Sequence, residues 1–229
     1  MESFPRRRWA GFLASMLCCM ACALPTAGSA AGLDSLESFV RTVRAGHAEF
    51  TQTVTSPGRD GQVARTKNSA GSFDFSRPNR FRFIYRKPMA QTIVADGQIL
   101  WLYDEDLNQV TARKQAAVLA STPAALIASA PDTKSLQADF VLTDVSTKDA
   151  QAHGNDPAME WVLAMPKASD SSLHSIRVGF KNHNLAALDI LDSFGQRSQI
   201  FFGAMQTATP PEASAFQFKP PAGADVIHQ

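Results

Sequence analysis

The sequence predicts a mainly β fold, a curled antiparallel sheet with helices against one face, and three observations carry that expectation. Apolar side chains recur at every second position from Gly71 to Arg113, first Phe73 and Phe75, then Phe81, Phe83 and Tyr85, then Ile99, Trp101 and Tyr103. Alternation at period two marks strands with one face turned from water. Turn formers separate these runs: Arg77-Pro78-Asn79, Lys87-Pro88 and Asp96-Gly97, the last a hairpin pair suited to positive φ. Finally, one face of this meander carries more aromatic area than a narrow sheet needs for cohesion, and a hollow apolar interior accounts for the excess.

The chain has 229 residues, 45% hydrophobic and 19% charged, which makes one globular domain the best expectation and excludes disordered and collagen-like classes. At the N-terminus Arg6, Arg7 and Arg8 precede the apolar run Trp9 to Leu24 and the small residues Thr26 to Ala31. That order is the layout of a secretory signal peptide, so residues 1–30 are read as a leader and 31–229 as the exported domain, with cleavage after Ala30 or Ala31. A membrane anchor fits less well, since the apolar run is short and no basic stop follows it. Without the leader, which holds three arginines and Glu2, the chain is near neutral and offers no general attraction for nucleic acid. Cys18, Cys19 and Cys22 all lie in the leader, so no disulfide is expected in the exported domain.

Along the mature chain, Leu36, Phe39, Val40 and Val43 fall on one helical stripe, with Asp34 as N-cap, Glu37 as its capping partner, and an end near Gly46. His47 to Thr55 alternates as a first strand, and the polar stretch to Ser69 reads as a loose hairpin. After the aromatic meander, Lys114 to Ala130 is alanine-rich. There Ser121-Thr122-Pro123 followed by Ala124, Leu126 and Ile127 sets a capping hydroxyl, a first-turn proline and an apolar face in order, so two short helices are expected. Strands resume at 139–145, 160–165, 172–180, 185–192 and 197–202, with a last short one at Phe216-Gln217-Phe218.

Catalytic chemistry finds no support. The five histidines are scattered, none stands at zinc-ligand spacing with another ligand, and no nucleophile elbow, phosphate loop or H-E-x-x-H occurs. Neither an enzyme, a metal nor a cofactor is expected.

Ser76-Arg77-Pro78-Asn79-Arg80-Phe81-Arg82-Phe83, Ala95-Asp96-Gly97 leading into Leu100-Trp101-Leu102-Tyr103-Asp104, and Leu107-Asn108-Gln109-Val110-Thr111 closely resemble the LolA family of periplasmic outer-membrane lipoprotein carriers. Ala48-Glu49-Phe50-Thr51-Gln52, Thr122-Pro123 with Leu126-Ile127, and Phe216 to Gly223 agree as well, so the likeness spans the mature chain. Ala124 and Ala125 depart from it, standing where bulkier apolar residues are common.

The resemblance implies an incomplete antiparallel β-barrel with a helical lid over its apolar concave face, a periplasmic monomer that shelters lipoprotein acyl chains. Its partners would be an inner-membrane ABC-type lipoprotein release complex and an outer-membrane lipoprotein acceptor. Phe50, Phe73, Phe83, Trp101, Leu126 and Ile127 are the expected cavity walls. Arg77 is the expected lid latch, its guanidinium reaching backbone carbonyls at helix ends, and Phe81 the expected cavity mouth. Two relatives of the same fold stay as alternatives, a lipidated acceptor processed at Cys22 and a periplasmic sensor of lipid or lipoprotein; a lipid hydrolase is the rival from another class.

Overall fold

The computed structural model describes residues 31–58, 61–118, 127–128 and 132–229. The leader therefore lies outside the described residues, as do Leu126 and the Thr122-Pro123 helix start. Helix α1 (Ala31–Thr42) comes first, followed by strands β1 (Ala45–Ser56), β2 (Arg65–Ser76), β3 (Arg80–Lys87), β4 (Gln91–Ala95), β5 (Ile99–Asp104) and β6 (Gln109–Lys114). Helices α2 (Gln115–Val118) and α3 (Thr133–Asp139) interrupt, and β7 (Phe140–Val145), α4 (Thr147–Ala152), β8 (Glu160–Pro166), β9 (Leu173–Lys181), β10 (Asn184–Asp192) and β11 (Arg197–Phe202) resume. A 3-10 turn (Ala213–Phe216) and β12 (Asp225–His228) close the chain.

All twelve strands join one open sheet in the order β12-β6-β5-β4-β3-β2-β1-β11-β10-β9-β8-β7. Every ladder is antiparallel except β12 on β6. The inward face of the curled sheet is apolar: across the intervening β1, Phe73 on β2 meets Phe202 on β11 at 5.4 Å between ring centroids. Helix α1 fills one end of the concavity. Its stripe of Leu36, Phe39 and Val40 is buried, and the Phe39 ring sits 6.0 Å from Phe75 and 5.9 Å from Phe180, joining the two halves of the sheet.

The helix begins three residues before the expected N-cap, and Asp34 lies inside its first turn. The cap comes from far along the chain, since the Leu33 amide donates to Asp144 Oδ1 of β7 at 2.9 Å. Two other expectations are corrected. Phe216-Gln217-Phe218 is not a strand; Phe216 ends the 3-10 turn beneath the Arg80 guanidinium, and Phe218 packs on Trp101 and Tyr103, so its alternation reflects docking of rings rather than a ladder. The last strand is β12 instead. Helices α3 and α4 were not expected, yet each has a local cap: Asp132 accepts from the Ser135 amide, and Ser146 from that of Asp149. In the expected helix insert, α2 is present and Ile127 and Ala128 are helical and buried. Gln115, also buried, donates to the Asn79 carbonyl and accepts from the Gly97 amide, tying two turns to the start of this segment.

Candidate functional site

Beyond α1, the concave face opens as a cleft of about 420 Å³. One wall comes from β3, β4 and β5 through Phe81, Phe83, Ile93, Leu100 and Leu102; the facing wall comes from β10 and β11 through Leu188, Ile190 and Ile200. Phe194 stands at the rim, 69% exposed, on the turn joining β10 to β11. Each methylene that leaves water for these walls gains about 0.8 kcal/mol.

The expected wall residues separate into different roles. Phe83 lines the cleft. Phe50 and Phe73 are buried behind it: Phe50 meets Phe83 and Tyr85 edge-on at 5.5 and 5.1 Å, and Phe73 lies 4.5 Å from Phe83. Ile127 is buried in the same apolar cluster. Phe81 lines the cleft but is only 2% exposed, which makes it an inner-wall residue rather than part of the mouth.

Trp101 is the correction. It lies on the opposite, convex face, where its ring packs on Phe218 at 5.6 Å and its Nε1 donates to Asp96 Oδ2 at 2.9 Å. Parity explains the reversal. Directly paired residues share a face, and because Ala95 pairs with Leu100, odd-numbered residues of β4 face even-numbered ones of β5. Leu100 and Leu102 thus inherit the face of Phe81 and Phe83, and Trp101 falls with Val94 and Arg82. Both faces of β5 are apolar, so alternation alone could not choose between them. Burial would raise the Asp96 carboxyl, but hydrogen bonds from the Ile99 amide, Trp101 and the Gln98 amide hold it below the usual carboxylate range. Trp101→Phe is therefore expected to cost about 1 kcal/mol of stability through the lost bond while leaving acyl binding unchanged, as thermal unfolding and a lipid titration would show.

Gly71 makes the wall possible. It lies between Phe50 and Tyr85 across three strands, and a Cβ there would stand 2.0 Å from the Ile84 carbonyl oxygen and 3.0 Å from the Phe50 ring. Gly71→Val should force the β2–β3 ladder apart and lower stability by about 1–3 kcal/mol, the usual cost of overpacking, read as a fall in melting temperature.

Helix α1 is held at both ends. Near its start, Ser35 Oγ donates to Glu160 and lies 2.6 Å from His183 Nδ1. At its end, Arg77 Nη1 donates to the Val43 carbonyl and, at 3.4 Å, to that of Phe39. The Val43 carbonyl lies just past the end of α1, and the Phe39 carbonyl, in its last turn, also accepts from the Val43 amide at 3.0 Å. The guanidinium lies 5.0 Å from the Phe39 ring centroid and 5.4 Å from that of Phe75, and the residue is 8% exposed. Its Nε and Nη2 are buried with no hydrogen-bond partner among the described residues. Burial, with the nearby positive charge of Arg44, pushes its pKa down to about 10. Arg77 is thus charged, desolvated and only partly satisfied. The resemblance implied a reach to carbonyls at the ends of lid helices; among the described residues the carbonyls it meets lie at and just past the C-terminal end of α1.

Sequence reasoning missed the second wall. Leu188, Ile190 and Ile200 carried a usable signal, the inward parity of strands read correctly in position but not assigned a face. Among the described residues no three His, Cys, Asp or Glu side chains gather to hold a metal ion.

A family model described as outer membrane lipoprotein carrier protein LolA matches residues 41–219. The outer-membrane lipoprotein carrier protein of Albidiferax ferrireducens is 56% identical over 215 residues, covering 92% of this chain and 97% of that one. Its counterpart in Methylibium petroleiphilum is 48% identical over 208 residues, covering 91% and 95%. Among solved structures, a LolA-superfamily protein from Nitrosomonas europaea aligns over 82% of this chain and 96% of its own with a TM-score of 0.48 and 9% identity. The breadth of the family match and the identity to the two carriers together place this chain in the LolA family of outer-membrane lipoprotein carrier proteins.

Proposed function

We propose that this protein is a periplasmic chaperone that takes lipoproteins released from the inner membrane, shelters their acyl chains in the cleft and delivers them to the outer membrane. Residues 1–30 serve as the cleaved leader that exports it. The observation that carries this reading is the apolar cleft between two walls of one curled sheet, with a charged, incompletely bonded arginine holding the helix that closes one end. An ABC-type release complex supplies the cargo, and an outer-membrane acceptor receives it.

The volume sets a mechanical requirement. A cleft of about 420 Å³ is small for a cargo with several acyl chains, so loading requires α1 to move outward. Arg77 is the latch on that movement: its contacts to the Phe39 and Val43 carbonyls break as cargo enters and reform as it leaves. Phe81 and Phe83 form the inner wall against the hydrocarbon.

The test is native mass spectrometry of the detergent-free protein mixed with a lipoprotein released from inner membrane. A one-to-one complex with intact acyl chains is expected. Hydrolysed chains would point to a lipid hydrolase, and no complex would remove the carrier reading.

A further inference from the structure

From floor to mouth, the inward positions of the strands change character. On β11 they run Phe202, Ile200, Ser198; on β1, Phe50 then Gln52; on β3, Phe81, Phe83, Tyr85. Gln52, Ser198 and Tyr85 thus bring polar atoms onto the inward faces of three strands, beside Ser172, Asp192 and Gln196, which also line the cleft. Gln52 Nε2 donates to Ser198 Oγ at 2.6 Å, and both side chains line the cleft. That bond uses one amide N–H and one hydroxyl lone pair. The serine O–H, the second amide N–H and the Gln52 Oε1 have no partner among the described residues.

The Tyr85 ring is held edge-on to Phe50, and the residue lines the cleft too. Burial pushes its phenol up to about 12, so at neutral pH it is an uncharged donor. All three residues are half-buried and none of their polar atoms is sealed off unbonded, so these atoms stay open to whatever enters the cleft. The lining also contains no cation; its one charged side chain among the described residues is Asp192 at the mouth. A carboxylate ligand would find no countercharge here and one like charge, whereas neutral carbonyls would find donors.

We infer that the Gln52–Ser198 pair and the Tyr85 hydroxyl form a subsite for the uncharged ester and amide carbonyls that join acyl chains to a lipoprotein's polypeptide. The inference rests on the carrier reading and deepens it: the inner wall takes hydrocarbon, and this collar reads the linkage. Ser198 and Tyr85 donate to ester carbonyls, and Gln52 donates to a carbonyl while its Oε1 accepts an amide N–H.

The test compares two probes of the same shape, dioctanoylglycerol and the dioctyl ether of glycerol, which lacks the carbonyls, titrated calorimetrically into the exported protein. The wild type is expected to bind the ester about tenfold more tightly than the ether, a difference of about 1.4 kcal/mol. Tyr85→Phe should reduce that ratio, and the double variant Gln52→Leu, Ser198→Ala should bring it near one with ether affinity unchanged. Equal wild-type affinities, or a double variant that keeps the ratio, would overturn the subsite and leave the carrier standing. A double variant that loses the ether as well would show a structural role only, and also overturn it. Wild-type protein that binds neither probe would refute the carrier reading itself, and the subsite with it.

Discussion

Phe81→Glu should abolish acyl loading and lower the melting temperature by more than any other single change considered. Phe81 is almost wholly buried, pairs with Phe75 and Ala95 across two ladders, and lies edge-on to Phe83 at 6.2 Å. Truncating a core aromatic costs about 3–5 kcal/mol, and a carboxylate without a partner adds a desolvation penalty of several kcal/mol more. Together these approach the whole stability of an ordinary domain, about 5–15 kcal/mol. The introduced carboxyl would respond by raising its pKa. With a folded value above the unfolded one, its neutral form is tolerated below about pH 4.3, and stability falls as pH rises from there through the raised folded pKa. Phe81→Leu separates the causes, since it keeps the wall apolar and should load lipid at a cost of roughly 1 kcal/mol. Circular dichroism melts and a fatty-acyl fluorescence titration, run for both variants across pH 4 to 8, would check this. A Phe81→Glu protein that loads normally at neutral pH would show that the side chain turns away from the cleft.

How far the sequence foretold this molecule depends on the range over which each signal acts. Period-two alternation is local, and it located the strands of both meanders to within a few residues. The alanine-rich insert was a compositional signal, and its described residues 115–118 and 127–128 are helical. Signals were lost where a residue's role is fixed by a distant partner. The cap of α1 is Asp144, 111 positions from the amide it accepts. The face of Trp101 depends on the pairing of Ala95 with Leu100, a parity that the apolar run Ile-Leu-Trp-Leu-Tyr conceals. Phe216 and Phe218 alternate like a strand because two rings dock on one surface. The second cleft wall was missed for a related reason: strands rich in Leu and Ile look like ordinary core until the sheet curls and brings Ile190 and Ile200 opposite Phe83. Arg77 was recognisable through the family resemblance alone, because an arginine before a proline is ordinarily solvated, and only the packing of α1 against the Phe75 face makes it buried.

Arg77→Leu is expected to leave the fold nearly as stable as before and to stop cargo delivery. The two statements are linked by the way the side chain is buried. A pKa pushed down to about 10 from 12.5 means that burial charges the folded state about 3 kcal/mol for keeping the guanidinium ionised. Leucine removes that cost together with the two unpartnered N–H groups, and it still packs between the Phe39 and Phe75 rings. What it cannot replace is the pair of bonds from Nη1 to the Phe39 and Val43 carbonyls, charge-assisted bonds worth about 1.5–3 kcal/mol apiece when well formed. Gain and loss nearly cancel in overall stability, as when other buried charges give way to apolar residues. They do not cancel in the equilibrium between closed and cargo-filled forms. In the proposed cycle these contacts belong to the closed form, and their reformation favours release of the sheltered hydrocarbon. Without them the filled form becomes the resting state, so the variant should load at wild-type level and accumulate as a stable complex, with transfer to acceptor-bearing membranes reduced at least tenfold. Arg77→Lys should fall between the two, because one ammonium reaches the same carbonyls with shorter and less directional donors. Native mass spectrometry of loaded protein before and after incubation with acceptor vesicles gives both quantities, and a leucine variant that delivers cargo at the wild-type rate would show that closure draws its energy from other contacts.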